Sequence, residues 1–183
     1  MIRITGGNFK NKPVECLEGK SIRPTSSKTR QGIFNVLFSM GFEIEKARVL
    51  ELFAGTGLIS FESLSRGAVY AVLVDNSRVS LNVIEKNTTK LGVKDVTKII
   101  LADALNFVGK NDLKDFDIIY LDPPYDYKEY DEVLNNIFPK MKSGAILIAE
   151  SGYEMFKDGA PSEVKVVKIK RWGKSFAHFV TRV

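Results

Sequence analysis

From residue 48 onward, short unbroken apolar runs alternate with amphipathic stretches, and that alternation leaves few folds open to the chain. RVLELF (48–53), YAVLVD (70–75), TKIILA (97–102), FDIIYLD (116–122) and AILIAE (145–150) lack the in-and-out polarity of a half-exposed sheet. Helical patterns separate them at 58–66, at 77–91 before Gly92, briefly after 102, and at 129–141. Strands buried on both faces and joined through helices predict a mostly parallel α/β sheet covered on each side. Residues 163–170 and 175–183 read as two further strands with a short connection, hence an antiparallel pair at the end of the sheet. Ahead of this rhythm, residues 2–5 and 12–17 predict a small hairpin turning at Gly6, Gly7 and Asn8. Ser26 or Ser27 then caps a helix to about Met40, with Ile33, Phe34, Leu37 and Phe38 on one face.

The length, 183 residues, suits one domain over 1–183, with residues 1–25 as a hairpin-and-loop extension and 26–183 as the core. No apolar run approaches the ~20 residues that span a bilayer, and MIRITGGNFKNKP lacks the apolar stretch of a secretion signal. A cytoplasmic protein without membrane contact is expected. Single Cys16 and single His178 argue against an internal disulfide, a zinc site or a Cys/His nucleophile pair, so no metal is expected. Charge is unevenly spread. Residues 1–30 carry seven Lys/Arg against two Glu, and residues 163–183 carry six against one. The net +5 chain therefore has two basic ends around an acidic middle, a distribution that suits a polyanionic partner.

Ligands of open parallel sheets sit at the carboxyl ends of the strands, and three ends here carry suitable residues. ELFAGTG (51–57) runs from a strand through Gly55 and Gly57 into a helix, which lets backbone amides approach a ligand. Asp75 closes the next strand, where a carboxylate accepts ribose hydroxyls or caps the following helix. Asp103 closes the third, where a carboxylate meets an adenine amino group or caps the next helix. A dinucleotide site would want G-x-G-x-x-G, but Gly55 and Gly57 are followed by Leu58-Ile59-Ser60, and the acidic Glu51 stands just before the loop. An NAD-type oxidoreductase is disfavoured; a nucleoside cofactor with an amino-acid tail and a positive sulfur fits better.

The fourth strand ends in YLDPPYDY (120–127). The Asp122 carboxylate and Pro123 carbonyl are two acceptors for the N–H groups of a planar exocyclic amine, and the prolines stiffen the backbone that carries them. Tyr125 is an aromatic platform for a base taken out of its stack. Asp126 is expected to cap the next helix, with Tyr127 or Tyr130 packing beneath the loop. Adenine N6, cytosine N4, guanine N2 and a glutamine amide all meet this description.

E-x-F-A-G-T-G resembles the first motif of class I S-adenosylmethionine-dependent methyltransferases, and Asp122-Pro123-Pro124-Tyr125 resembles their [DN]-P-P-[YF] motif. IRITGGNFKNKPVE, SIRPTSSKTRQGIFNVL, ELFAGTGLISFESLSRGA and YLDPPYD together are similar in order and spacing to the RsmD family. The resemblance covers nearly the whole chain. It implies a Rossmann-like, mostly parallel sheet with an antiparallel C-terminal strand and an N-terminal β-hairpin/helix extension. It further implies methylation of guanine N2 in 16S ribosomal RNA, within the small subunit or an assembly intermediate, with S-adenosylmethionine as cofactor; a monomer is expected because nothing in the sequence suggests a large exposed apolar face. Adenine-N6 or cytosine-N4 methylation, or RNA binding without turnover, are the alternatives. By the same resemblance Asp122, Pro123, Pro124 and Tyr125 are catalytic. Glu51, Phe53, Gly55, Gly57, Asp75, Asn76, Asp103, Ala104 and Thr25 bind the cofactor. Arg3, Lys10, Lys12, Arg23, Lys28 and Arg30 form an RNA-backbone surface. Where the family commonly has R-E-T-L-F-N this chain has Arg30-Gln31-Gly32-Ile33-Phe34-Asn35. Gly32 inside a helix costs ~1 kcal/mol against alanine, and so either loosens the helix or permits a close approach.

Overall fold

The computed structural model describes residues 2–16 and 26–183. Its elements follow the predicted rhythm. β1 (Ile2–Arg3) and β2 (Pro13–Val14) form a short antiparallel hairpin, with Ile2 opposite Val14. α1 (Ser27–Ser39) follows, and Ser26 caps it by accepting from the Thr29 amide. The alternating part is β3 (Arg48–Leu52), α2 (Leu58–Ser65), β4 (Tyr70–Asp75), α3 (Arg78–Leu91), β5 (Thr97–Leu101), α4 (Ala104–Lys110), β6 (Ile118–Leu121), α5 (Tyr130–Ile137) and β7 (Ile146–Ser151). β8 (Val164–Trp172) and β9 (Ser175–Arg182) close the chain.

One seven-stranded sheet has the order β5-β4-β3-β6-β7-β9-β8. All pairings from β5 to β7 are parallel, and β9 lies antiparallel to both its neighbours, inserted between β7 and β8. The apolar runs are unbroken because successive side chains enter two separate cores. Val49, Ala71, Leu73, Ile118, Tyr120, Ile146 and Ile148 pack with α1, α2 and α3. Leu50, Leu52, Val72, Val74, Ile119, Leu121 and Leu147 pack with α4 and α5. Among the described residues no helix is long and apolar enough to cross a membrane.

The chain leaves β3 in one direction through β4 and β5 and returns to the other side of β3 as β6. A crevice therefore opens beyond the carboxyl ends of β3 and β6, the switch point where ligands of such sheets bind. Gly32 is also explained. A Cβ there would lie 2.3 Å from the Trp172 ring, so the missing side chain lets the C-terminal hairpin close on α1.

Arg30 corrects an expectation. It was assigned to an RNA surface, yet it is fully buried. Its Nε lies 3.0 Å from Glu62 Oε1, and its guanidinium also donates to the Arg3 carbonyl and to Ser27 Oγ. The reason is helical spacing: residue 30 shares the inward stripe of Ile33, Phe34 and Leu37. Arg30 ties α1 to α2 and has no solvent face to offer RNA.

Candidate functional site

The ELFAGTG turn is held in a shape most side chains resist. Phe53, Gly55 and Gly57 all have left-handed backbone, at φ 56°, 54° and 74°. At Gly57 a Cβ would also meet Leu73 at 2.6 Å and Phe61 at 2.9 Å, so glycine is required on both counts. The Gly55 amide donates to Asp75 Oδ2 and the Ser77 amide to Asp75 Oδ1, both at 2.8 Å. One carboxylate at the end of β4 thus fastens two ligand-facing loops, while Ser77 caps α3. Asp103 caps α4 through the Asn106 amide, and Ala104 is buried as the first residue of that helix. Asn76 is exposed between Asp75 and the cap. Thr25 and Arg23 lie outside the described residues.

Glu51 also supports the loop from within the fold. It is 3% exposed and accepts from the Ile59 and Ser60 amides of α2's first turn, at 3.3 and 2.8 Å. These amides are the ones a pyrophosphate would need, so the helix start is closed to a dinucleotide. Glu51 shapes the loop from below and faces the helix.

The residues fit a nucleoside with a cationic tail. A carboxylate has about four lone-pair sites, and Asp75 spends two on backbone amides, which leaves acceptors for hydroxyls. Segments 51–57, 75–77 and 102–104 contain no Lys or Arg. The Phe53 and Tyr127 rings meet in a T-shaped arrangement with ring centres 4.8 Å apart. Burial, followed by the Asp103 carboxylate, raises the Tyr127 phenol to about 12. Tyr130 is buried, and its hydroxyl donates to the Glu150 carbonyl. Both tyrosines therefore pack beneath the loop.

Asp122 and Pro123 follow β6 directly and are partly covered; Pro124 is exposed. Tyr125 is 81% exposed. Its hydroxyl lies 3.1 Å from Ser175 Oγ, and its ring lies 3.3 Å from where a Cβ on Gly152 would stand. The Tyr125 side chain is thus held by the C-terminal segments. Asp126 is exposed and the residue at the α5 cap position is Glu129, so the expected Asp126 cap does not form.

One residue escaped the sequence reading. Glu150 is the next-to-last residue of β7, Asp122 directly follows β6 and Glu51 lies in β3, and the three strands are consecutive in the sheet. Glu150 is 4% exposed, and Tyr120 donates to its Oε1 at 2.6 Å. Burial, then the charge of Asp122, pushes Glu150 up to about 8, against the opposing Tyr120 bond. Burial pushes Glu51 up to about 7, with Asp122 a smaller contribution in the same direction. The signal was available: AILIAE closes on an acid just as YAVLVD and IIYLD do.

These shifts predict a pH dependence. Both folded values exceed the ordinary carboxylate value of 4.5, so the folded chain keeps protons the unfolded chain has released. Their contribution is full below about 4.5 and is lost as pH rises through 7 and 8. Thermal melting from pH 5 to 9 is expected to show falling stability, and Glu150→Gln, which keeps an acceptor for Tyr120, to show a shallower fall. Equal slopes would mean that Glu150 is ionised in the folded state.

Among the described residues, the basic side chains of the N-terminal hairpin lie away from this crevice. The Asn8 and Phe9 amides bind Ser65, the last residue of α2, at 2.6 and 2.8 Å. α2 starts at the glycine loop and its eight residues span ~12 Å, so the hairpin tip lies toward the opposite sheet edge. Arg3, Lys10 and Lys12 are exposed there, whereas Lys28 is exposed on the first turn of α1.

Residues 2–181 match the family model described as Conserved hypothetical protein 95. Ribosomal RNA small subunit methyltransferase D of Buchnera aphidicola (Acyrthosiphon pisum) is 32% identical over 124 residues, 68% of this chain and 63% of that one, so the match spans under two thirds of that relative. "Uncharacterized methylase RP545" of Rickettsia prowazekii is 25% identical over 96% of this chain and 95% of that one. The solved structure "Putative methyltransferase yhhF" of Escherichia coli is 26% identical and superposes with a TM-score of 0.86, over 99% of this chain and 97% of that one.

Proposed function

The chain belongs to the Conserved hypothetical protein 95 family, an RsmD-type methyltransferase family of class I fold, and from that premise we propose that it methylates the exocyclic N2 amine of a guanine in small-subunit ribosomal RNA. One observation carries the reading: the acid-lined, glycine-kinked crevice and the Asp122–Tyr125 motif leave adjacent strands, β3 and β6, at one sheet edge. S-adenosylmethionine, which supplies an electrophilic methyl group, is held by Asp75 and Asp103 and by the Phe53–Gly57 turn.

The chemistry left to the protein is to make a poor nucleophile attack. An exocyclic amine has its lone pair delocalised into the ring. Asp122 and the Pro123 carbonyl accept its N–H bonds, fix the nitrogen and favour its pyramidal form. The Asp122 charge would also stabilise the positive charge that develops on nitrogen as its bond to the methyl group forms and the methyl–sulfur bond breaks, after which the nitrogen releases a proton to water. Tyr125 stacks on the extruded base and offsets part of the unstacking cost, with such stacking worth ~1–3 kcal/mol. Glu150 is buried beside Asp122, and burial first and the Asp122 charge second push its pKa up to about 8, toward the proton-bearing form.

The test is product chemistry. Labelled methyl donor is incubated with small ribosomal particles, naked ribosomal RNA and duplex DNA, and the labelled nucleosides are separated. N2-methylguanosine from the small-subunit RNA is the expected product. N6-methyladenine or N4-methylcytosine would keep the methyltransferase and discard the guanine assignment.

A further inference from the structure

We propose that the β8–β9 hairpin is the RNA-docking surface of this enzyme and guides the nucleic-acid backbone past Tyr125. The inference rests on the functional reading above and names the part of the protein that holds its substrate.

The placement follows from strand direction. β9 runs antiparallel to β7, with Phe176 opposite Ser151. The start of β9, the Gly173–Lys174 turn and the end of β8 therefore lie at the carboxyl edge of the sheet, where the site is. Register runs across the sheet from Glu150 to Ala177 to Lys170, so Lys170 is two strands, ~10 Å, from the buried acid beside Asp122. The tip is fixed on two sides. Ser175 meets the Tyr125 hydroxyl at 3.1 Å, and Trp172 seats against Gly32 of α1.

Charge divides the surface at Tyr125. On the hairpin side, KIKRWGK (168–174) carries four basic residues and no acid. Lys168, Lys170, Arg171 and Lys174 are all exposed, and among the described residues none of them forms an ion pair. On the other side, DYKEYDE (126–132) carries four acids against one lysine. A phosphate backbone crossing the catalytic loop is drawn toward the hairpin and repelled from the α5 side. The basic N-terminal hairpin offers no such guidance, because its tip is a helix length away.

Two variants test this against small-subunit ribosomal RNA over a salt series: Lys168→Ala/Lys170→Ala/Lys174→Ala, and Lys10→Ala/Lys12→Ala. For the hairpin variant, the slope of log K on log salt is expected to fall by roughly 2 to 3, from about 0.7–0.9 per phosphate contact, with affinity at least about tenfold weaker. Its melting temperature and cofactor binding should match the wild type, since all three side chains are exposed. The N-terminal variant should lose less than half as much slope. An unchanged slope in the hairpin variant, or a loss confined to the N-terminal variant, overturns the docking surface and leaves the proposed function standing. Wild-type protein that binds no RNA overturns both.

Discussion

Asp122→Ala is expected to leave the protein folded and able to bind S-adenosylmethionine while slowing methyl transfer by about 10²–10³-fold, the usual effect of removing one preorganised charge-stabilising group. The separation is expected because the cofactor residues leave β3, β4 and β5, whereas Asp122 leaves β6. Calorimetry with the cofactor and single-turnover methylation measure the two effects independently. A built-in control comes from Glu150, whose pKa is raised by burial first and by the Asp122 charge second. Without Asp122 that value falls toward the ordinary range, so the stability loss with rising pH still begins near 4.5 but ends at lower pH and is smaller. Lost cofactor binding with a normal rate in the bound enzyme would reverse the division of roles. A full rate in the variant would remove Asp122 from the chemistry altogether.

The element order, and hence the crevice, was legible because strands covered on both faces need continuous apolar runs. Asp75 was legible as a single acid at a strand end, but its two backbone partners, in the loops after β3 and β4, were not. Arg30 was misread through its charge although its position was informative. Residues 30, 33, 34 and 37 form one stripe, and a stripe of that kind points inward whatever its first member is. Glu150 was missed because an acid at the end of a fifth strand resembles an ordinary strand terminus until Tyr120 and Asp122 stand beside it. The Gly32–Trp172 contact joins residues far apart in the chain, and no periodicity reports such a pairing. Helical spacing showed only that residue 32 lies in the helix, where a glycine needs a reason.

The largest stability effect is expected at Glu62. Glu62 and Arg30 are both fully buried, and Glu62 joins three parts of the fold. It holds Arg30 of α1 at 3.0 Å, accepts from the Thr5 amide and hydroxyl of the N-terminal hairpin at 2.9 and 2.8 Å, and pairs with Arg66 one helical turn on. Glu62→Leu removes this anchor and takes the Glu62 carboxylate away from the buried Arg30 guanidinium, a change that typically costs about 3–5 kcal/mol. Against a total stability of about 5–15 kcal/mol, that is a large share. At ~2–4 °C per kcal/mol for a chain of this size, melting should fall by roughly 6–20 °C. The cost lies mainly in the guanidinium charge that stays buried and only secondarily in the lost attraction, because burial removes the hydration of both ions before their pairing returns any of it. Glu62→Leu combined with Arg30→Met should therefore recover a large part of the loss, although the Thr5 amide stays without its acceptor. Urea unfolding of the two single variants and the double variant measures the coupling. A Glu62→Leu cost under about 1 kcal/mol would mean that water reaches Arg30. A double variant as unstable as the single would instead assign the cost to the hairpin's lost hydrogen bonds at Thr5.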